Sequence, residues 1–381
     1  MLFTRNVVVA LIATVISFST LYVPQPMLPL LAAEFGVSPG EAGLLMTLAM
    51  LPLALAPVAY GYFLQAIPAR LMLQVALSLL ALNQFLFVFA DEFWQLLALR
   101  LMQGLLLPAI FTALMTYCAT MAPPAMVRRA MGYYIGATII GGFSGRLVGG
   151  LFASAFDWHS AFVVMGLLQL VPLFLLRGVE SDADINFARL DPRSVSRVLG
   201  ERHYRFMFLS LALVFFVFSG VLNTVPFHLQ DIEPGATPLM IAMLYLGYLV
   251  GAPVSFFSDG ISRRLGDERW GLWLGLGIHA LGLVMLAFVA FAGLIVTMFL
   301  LAAGFFLIHA LLSGLVNHLA REHKGVVNGL YVSIYYFSGA LGSWLPGYLF
   351  EGLGWHGMLG IFLVFLVAGA WAIRQVHPSA D

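Results

Sequence analysis

Two arginines stand inside long apolar runs: Arg100 within 93–121 and Arg146 within 129–155, with no Asp or Glu in the middle of any such run. A guanidinium is permanently charged and presents a planar fork of donors that suits carboxylate or phosphate. In apolar surroundings it either binds backbone carbonyls or faces a water-filled cavity. Such a cavity would have positive potential and would favour anionic, carboxylate-bearing molecules over cations. Arg100, Gln103, Gly104, Leu107 and Phe111 fall along one helical face. The remaining polar residues in apolar runs cluster near prolines or on shared faces. Tyr22 precedes and Gln25 lies within the Pro24-Gln25-Pro26 break of the first apolar run, and Asn223 and Thr224 precede Pro226 of the seventh. Proline interruptions are therefore expected at corresponding places, where they point to gates or binding elements. Asn328, Tyr331, Tyr335 and Ser338 share a face. His309, Ser313 and Asn317 recur at four-residue spacing. Histidine titrates near neutral pH, so His309 is a candidate proton carrier, a neutral hydrogen-bonded imidazole being the alternative. His279 is similarly placed in an apolar run, and the nearest carboxylates, Glu34 and Asp231, sit at run ends.

The elements that must hold these residues are membrane-spanning helices. The chain has 381 residues, 61% hydrophobic and only 9% charged, with a mean hydropathy of +0.97. Soluble domains carry about 25% charged residues. At roughly 20 apolar residues per span, the chain divides into twelve: 6–33, 41–63, 71–90, 93–121, 129–155, 158–177, 205–228, 236–258, 270–291, 293–319, 326–350 and 356–374. Apart from Arg100 and Arg146, every one of the 18 Lys and Arg residues falls at an end or on alternate connections. The connections between those hold Glu34, Glu41, Asp91, Glu92, Asp157, Asp231, Glu233 and Glu351, with no Lys or Arg. Basic loops resist translocation, so both termini are expected in the cytoplasm and the span count is even. The first run is too long for a cleaved signal peptide and reads as a retained helix.

The expected fold class is therefore all-α integral membrane, with twelve transmembrane helices in two pseudo-symmetric six-helix halves, 1–177 and 205–381, joined by a cytoplasmic linker, 178–204. Within the linker, Asp191 to Tyr204 predicts a surface helix with Asp191 as N-cap and Pro192 at its first position. The halves look duplicated. Gly132–His159 aligns without gaps on Gly329–His356 at an offset of 197, with identities that include Gly142/Gly339, Gly145/Gly342, Gly150/Gly347 and the paired Trp158-His159/Trp355-His356. Duplicated six-helix halves about an axis along the membrane normal are a transporter arrangement with a midplane site.

Three motifs resemble the major facilitator superfamily, and within it the twelve-span drug:proton antiporters. Ser255 to Arg264 keeps the acid and basic pair of the pattern G-x-L-A-D-R-x-G-R-R as Asp259, Arg263 and Arg264. The family role this implies is a conformational latch. The first copy, Gly61 to Arg70, has Gln65 for the acid and Pro68 for a glycine, so that latch is degraded. Arg100-Leu101-Met102-Gln103-Gly104 matches R-x-x-Q-G. Gly132, Gly141, Gly145, Gly149 and Gly150 keep the spacing of the span-5 antiporter motif, with Arg146 in place of its proline. Glycines four apart let helices approach closely. The chain most resembles the YnfM-like and arabinose-efflux-like exporters.

The resemblance implies a secondary transporter that exports a small organic molecule in exchange for protons, an anionic or siderophore-like one being the preferred subtype. Proton-coupled uptake of a small metabolite or sugar is the alternative. The expected partners are a small-molecule substrate and the lipid bilayer, for a chain acting as a monomer. No cofactor, nucleic acid or ATP is expected: formal net charge is zero and no G-x-x-x-x-G-K-[ST] motif occurs. No H-E-x-x-H or G-x-S-x-G occurs either, so an enzyme is not expected. The lone Cys118 excludes an intrachain disulfide and reads as a packing residue.

Overall fold

A computed structural model describes residues 5–63, 68–123, 126–178, 192–320 and 324–376, and they are almost entirely helical, with no β-strand among them. Ten helices are long and apolar enough to cross a membrane. One of them, Lys324–Gln375 (α14), is two legs broken at Gly354, whose φ of 67° is left-handed and suits glycine. Glu268–Met285 (α12) is a further apolar helix that starts with two charged residues. Counted this way, the described residues supply the twelve expected legs.

The first six are Arg5–Tyr22 (α1) continued by Leu28–Phe35 (α2), Pro39–Phe63 (α3), Ala69–Leu86 (α4), Phe93–Thr120 (α5), Val127–Ala155 (α6) and Trp158–Leu176 (α7). A short helix, Pro192–Gly200 (α8), precedes the second group; the proposed cap Asp191 lies outside the described residues. The second group is Arg202–Ile232 (α9), Pro238–Leu244 (α10) continued by Gly251–Leu265 (α11), then α12, Phe291–Leu319 (α13) and α14.

Prolines act differently at the two expected breaks. Pro24 lacks the N–H that would bond Thr20 O, and the chain turns through a short 3₁₀ segment, Gln25–Met27, before α2 resumes. Pro226 in α9 breaks nothing: the helix runs on to Ile232. There the carbonyl freed by the missing N–H belongs to Leu222, and the Tyr245 hydroxyl donates to it at 2.7 Å. The expectation of matched breaks in spans 1 and 7 is therefore corrected: a tyrosine from the neighbouring span completes the ladder in one of them.

Glycines set the closest approaches. A Cβ at Gly141 or Gly145 would run into the backbone of Val15 or Ser19 on α1, and one at Gly149 into Val23. At the equivalent place in the second group, a Cβ at Gly342 would meet Phe216 O on α9. Ser19 and Phe216 are themselves 197 residues apart. The same pair of seams is thus built twice.

Contacts between the two groups are tight at the end that carries the acidic connections. Gly347 on α14 leaves no room for a Cβ against Gly40 on α3, and Gly150 on α6 none against Pro238 on α10. The Gly40 amide donates to Glu351 Oε1 at 3.3 Å and the Leu239 amide to Ser154 Oγ at 2.8 Å. Farther in, Thr47 Oγ1 donates to Ala340 O at 2.7 Å. Toward the basic end, Gly132 and Gly136 on α6 have nothing within 4 Å of a would-be Cβ.

Candidate functional site

Where the two groups meet near the middle of the spans, a cavity is lined by Tyr22, Gln25, Arg146, Asn223, Tyr248 and Ser343 on its polar side. Met46, Met50, Phe215, Phe218 and Leu222 supply an apolar side. A chain of buried polar groups crosses it. Arg146 Nε donates to Gln25 Oε1 at 2.5 Å, Gln25 Nε2 to Asn223 Oδ1 at 2.9 Å, and Asn223 Nδ2 to Ser343 Oγ at 3.0 Å. Ser219 Oγ and Ser343 Oγ lie 2.9 Å apart and both donate to Gly339 O, closing the second end.

Each member is held by local structure. Gln25 projects from the 3₁₀ turn between Pro24 and Pro26, where the backbone is already non-helical. Arg146 stands on α6 between glycines that bring that helix hard against α1, and its Nη1 donates back to Gly142 O at 2.9 Å. Its guanidinium carbon lies 4.2 Å from the Tyr22 ring, 4.6 Å from Tyr248 and 4.8 Å from Tyr245. Three aromatic faces stabilise a cation by quadrupole attraction, about 0.5–2 kcal/mol each at such distances. Nη2 is buried and finds no hydrogen-bond partner of ordinary geometry. The residue is fully buried, and what its surroundings lack is an anion.

Arg100 is disposed otherwise. Its Nε donates to Leu45 O at 2.6 Å, Nη1 to Thr20 O at 3.2 Å and Gln103 Oε1 at 2.5 Å, and Nη2 to Leu21 O at 2.7 Å. Thr20 O is the carbonyl that Pro24 leaves without its helical donor. Arg100 therefore caps the broken end of α1 and ties it to α3 and α5, with Gln103 as its brace. It is absent from the cavity lining, so the two-guanidinium cavity expected from sequence reduces to one.

Nearer the basic end, His309 Nδ1 lies 2.8 Å from the Tyr331 hydroxyl, which donates to His309 O at 3.0 Å. Tyr335 stacks on Phe215 with ring centroids 3.9 Å apart, which joins this group to the central cavity. Asn317 and Asn328 are bonded to one another at 2.9 Å farther toward the basic end. His279 is sealed between α12 and α13, its Nδ1 at 2.9 Å from Leu301 O. Glu34 is exposed at the end of α2, away from both groups. Asp259, Arg263 and Arg264 are exposed on the last turns of α11, and among the described residues no ion pair joins them. Gln65 of the first motif copy lies outside the described residues.

Sequence reasoning missed Tyr245, Tyr248 and Ser343. Signals existed for each: Ser343 is the partner of Arg146 in the 197-residue alignment, and Tyr245 and Tyr248 are one helical turn apart in a span with few other polar groups.

The chain resembles known transporters over nearly its whole length. It is 26% identical to the inner membrane transport protein YnfM of Escherichia coli (strain K12), the match covering 98% of this chain and 91% of that protein. It is 24% identical to the uncharacterized MFS-type transporter YybF of Bacillus subtilis (strain 168), covering 93% and 89%. A bacterial homolog of the human lysosomal transporter Spinster, solved in an inward-facing and unoccupied conformation, superposes with a TM-score of 0.77 over 97% of both chains at 15% identity, which speaks to the fold alone. The pattern that defines the Major Facilitator Superfamily matches residues 10–343. With duplicated glycine seams, a cavity between two six-span groups and these relatives, the chain is a multi-pass membrane transporter of the Major Facilitator Superfamily, a secondary transporter and not an enzyme.

Proposed function

We propose that the protein exports a small amphipathic anion from the cytoplasm in exchange for protons, the two six-span groups rocking about the central cavity. The observation that carries the anion preference is Arg146: a buried cation in the cavity wall whose Nη2 has no hydrogen-bond partner of ordinary geometry, and no carboxylate in the middle of any span to neutralise it. A substrate carboxylate on Nη2 would supply the missing charge, and the apolar wall of Met46, Met50, Phe215, Phe218 and Leu222 would take its hydrocarbon body. Closure at the acid-bearing end fits a state open toward the basic connections, which charge asymmetry assigns to the cytoplasm. Export is supported by the span-5 glycine pattern.

Counterflow in proteoliposomes tests the reading with a panel of benzoate-like monocarboxylates, tricarboxylates and lipophilic cations. Monocarboxylates are expected to exchange, and Arg146→Gln to slow that exchange by more than about tenfold, the worth of one charge-assisted bond. Preferential exchange of cations, or an unchanged rate in R146Q, would refute it.

A further inference from the structure

Proton exchange in a transporter without an intramembrane carboxylate needs another titrating group, and we infer that the imidazole of His309, held by Tyr331, binds the coupling proton. The inference rests on the transport reading above. The Tyr331 hydroxyl has one hydrogen, which goes to His309 O at 3.0 Å; its lone pair then accepts from Nδ1–H at 2.8 Å. That arrangement fixes the Nδ1–H tautomer and leaves Nε2 to take up one proton and later give it back, with no other bond made or broken. His279 is the contrast: its Nε2 is buried and unpaired, with no polar neighbour to pass it a proton.

The surroundings of His309 decide what its charge would do. Helix α13 packs against α9, α10, the 245–250 turn, α11, α12 and α14. From α14 it meets Tyr331 and Tyr335, and its own helix adds Phe305. From α9 comes Phe215, stacked on Tyr335, while Tyr245 and Tyr248 of the turn stand at Arg146. On α12 Glu268 and Arg269 stand in the first turn and His279 is turned to Leu301 O, while α10 carries no titratable group. Asp259, Arg263 and Arg264 of α11 are on its exposed final turns. No Asp, Glu, Lys or Arg occurs in 206–230, 270–319 (Trp270 onward) or 325–350.

An imidazolium there has no counter-ion and must be stabilised by water. His309 is half-buried, with Ser313, Asn317 and Asn328 leading on toward the basic end. The proton thus favours the state in which that end is hydrated and the acid-bearing end is shut. Loss of the proton frees the carrier to open the other way, which is the sequence an antiporter requires.

Spin labels on the full-length protein in nanodiscs test this without a transported substrate. Glu41→Cys on α3 and Leu353→Cys on α14 flank the closed seam, and the native Cys118 is buried. The population of long distances is expected to fall at least about threefold between about pH 8 and about pH 5.5, the range of a histidine, and to be flat with pH when His309→Gln is added. A wild-type response surviving in H309Q, or no response in the wild-type background, overturns the assignment. Should H309Q fail to purify, Tyr331→Phe serves: a shifted midpoint supports the assignment and an unshifted one refutes it. Arg146→Gln is expected to keep the pH response while losing anion exchange, so the two readings fail separately.

Discussion

Gln25 Nε2 donates to Asn223 Oδ1 at 2.9 Å across the junction of the two six-span groups, and each of these amides then reaches the same place on its own side. Gln25 is bonded to Arg146 and Asn223 to Ser343, which are 197 residues apart, while Gln25 and Asn223 are 198 apart. The bridge is a near-palindrome in which one end has become a cation and the other a hydroxyl. Duplication supplied the scaffold, and divergence at a single aligned position supplied its charge asymmetry.

Arg100, on α5, bonds carbonyls of α1 and α3, so its loss should read as instability. Arg100→Met breaks the bonds to Leu21 O and Leu45 O and leaves Thr20 O, already deprived of its helical donor by Pro24, unsatisfied at a cost of about 1–3 kcal/mol. Thermal unfolding in detergent is expected to shift down clearly in R100M. In the fraction that remains folded, anion affinity should be close to wild type, which separates Arg100 from Arg146.

Tyr245 has two tasks that one atom distinguishes. Tyr245→Phe removes the donor to Leu222 O but keeps a ring against Arg146. The expected result is a loss of about 1–3 kcal/mol in stability with unchanged preference among anions. Tyr245→Leu should lower anion affinity as well, by titration of a bound monocarboxylate.

The glycine seam of α6 should tolerate change at one end only. Gly145→Val puts a side chain into the Ser19 backbone and is expected to abolish folded protein, whereas Gly132→Val meets open space and should express normally. Size-exclusion profiles of the two variants check this directly.

The closed seam can be locked. With Ser154 Oγ 2.8 Å from the Leu239 amide, Ser154→Cys and Leu239→Cys are close enough to bridge. Oxidation is expected to stop counterflow and reductant to restore it. Full activity in the cross-linked protein would exclude motion at this seam.

Much of the architecture was legible from local pattern. Apolar run lengths, the alternation of charge and the glycines of α6 are properties of short stretches, and they determine how many helices there are and which approach closely. The role of Arg100 was not legible, because its partners Thr20, Leu21 and Leu45 lie far away in sequence. A motif names the residue but not the carbonyl a distant proline has freed. Pro226 misled for the same reason: whether a proline breaks a helix depends on whether a neighbour such as Tyr245 supplies the missing donor. Tyr22, Gln25 and Asn223 were found because a proline-flanked polar residue in an apolar run is conspicuous. The contact of Gln25 with Asn223 required the Gln25–Met27 turn to pack against α9 and α6.

Arg146 also has an electrical meaning. With a monoanion aboard, the centre of the carrier is neutral, and a transmembrane voltage exerts little force on the loaded stroke. On the return stroke the same centre carries the Arg146 charge and, beside it, the proton of His309, and an inside-negative potential acts on each positive unit with about 2.3 kcal/mol per 100 mV for a full crossing. Voltage should therefore set the speed of the empty return, and turnover recorded as current should steepen with hyperpolarisation.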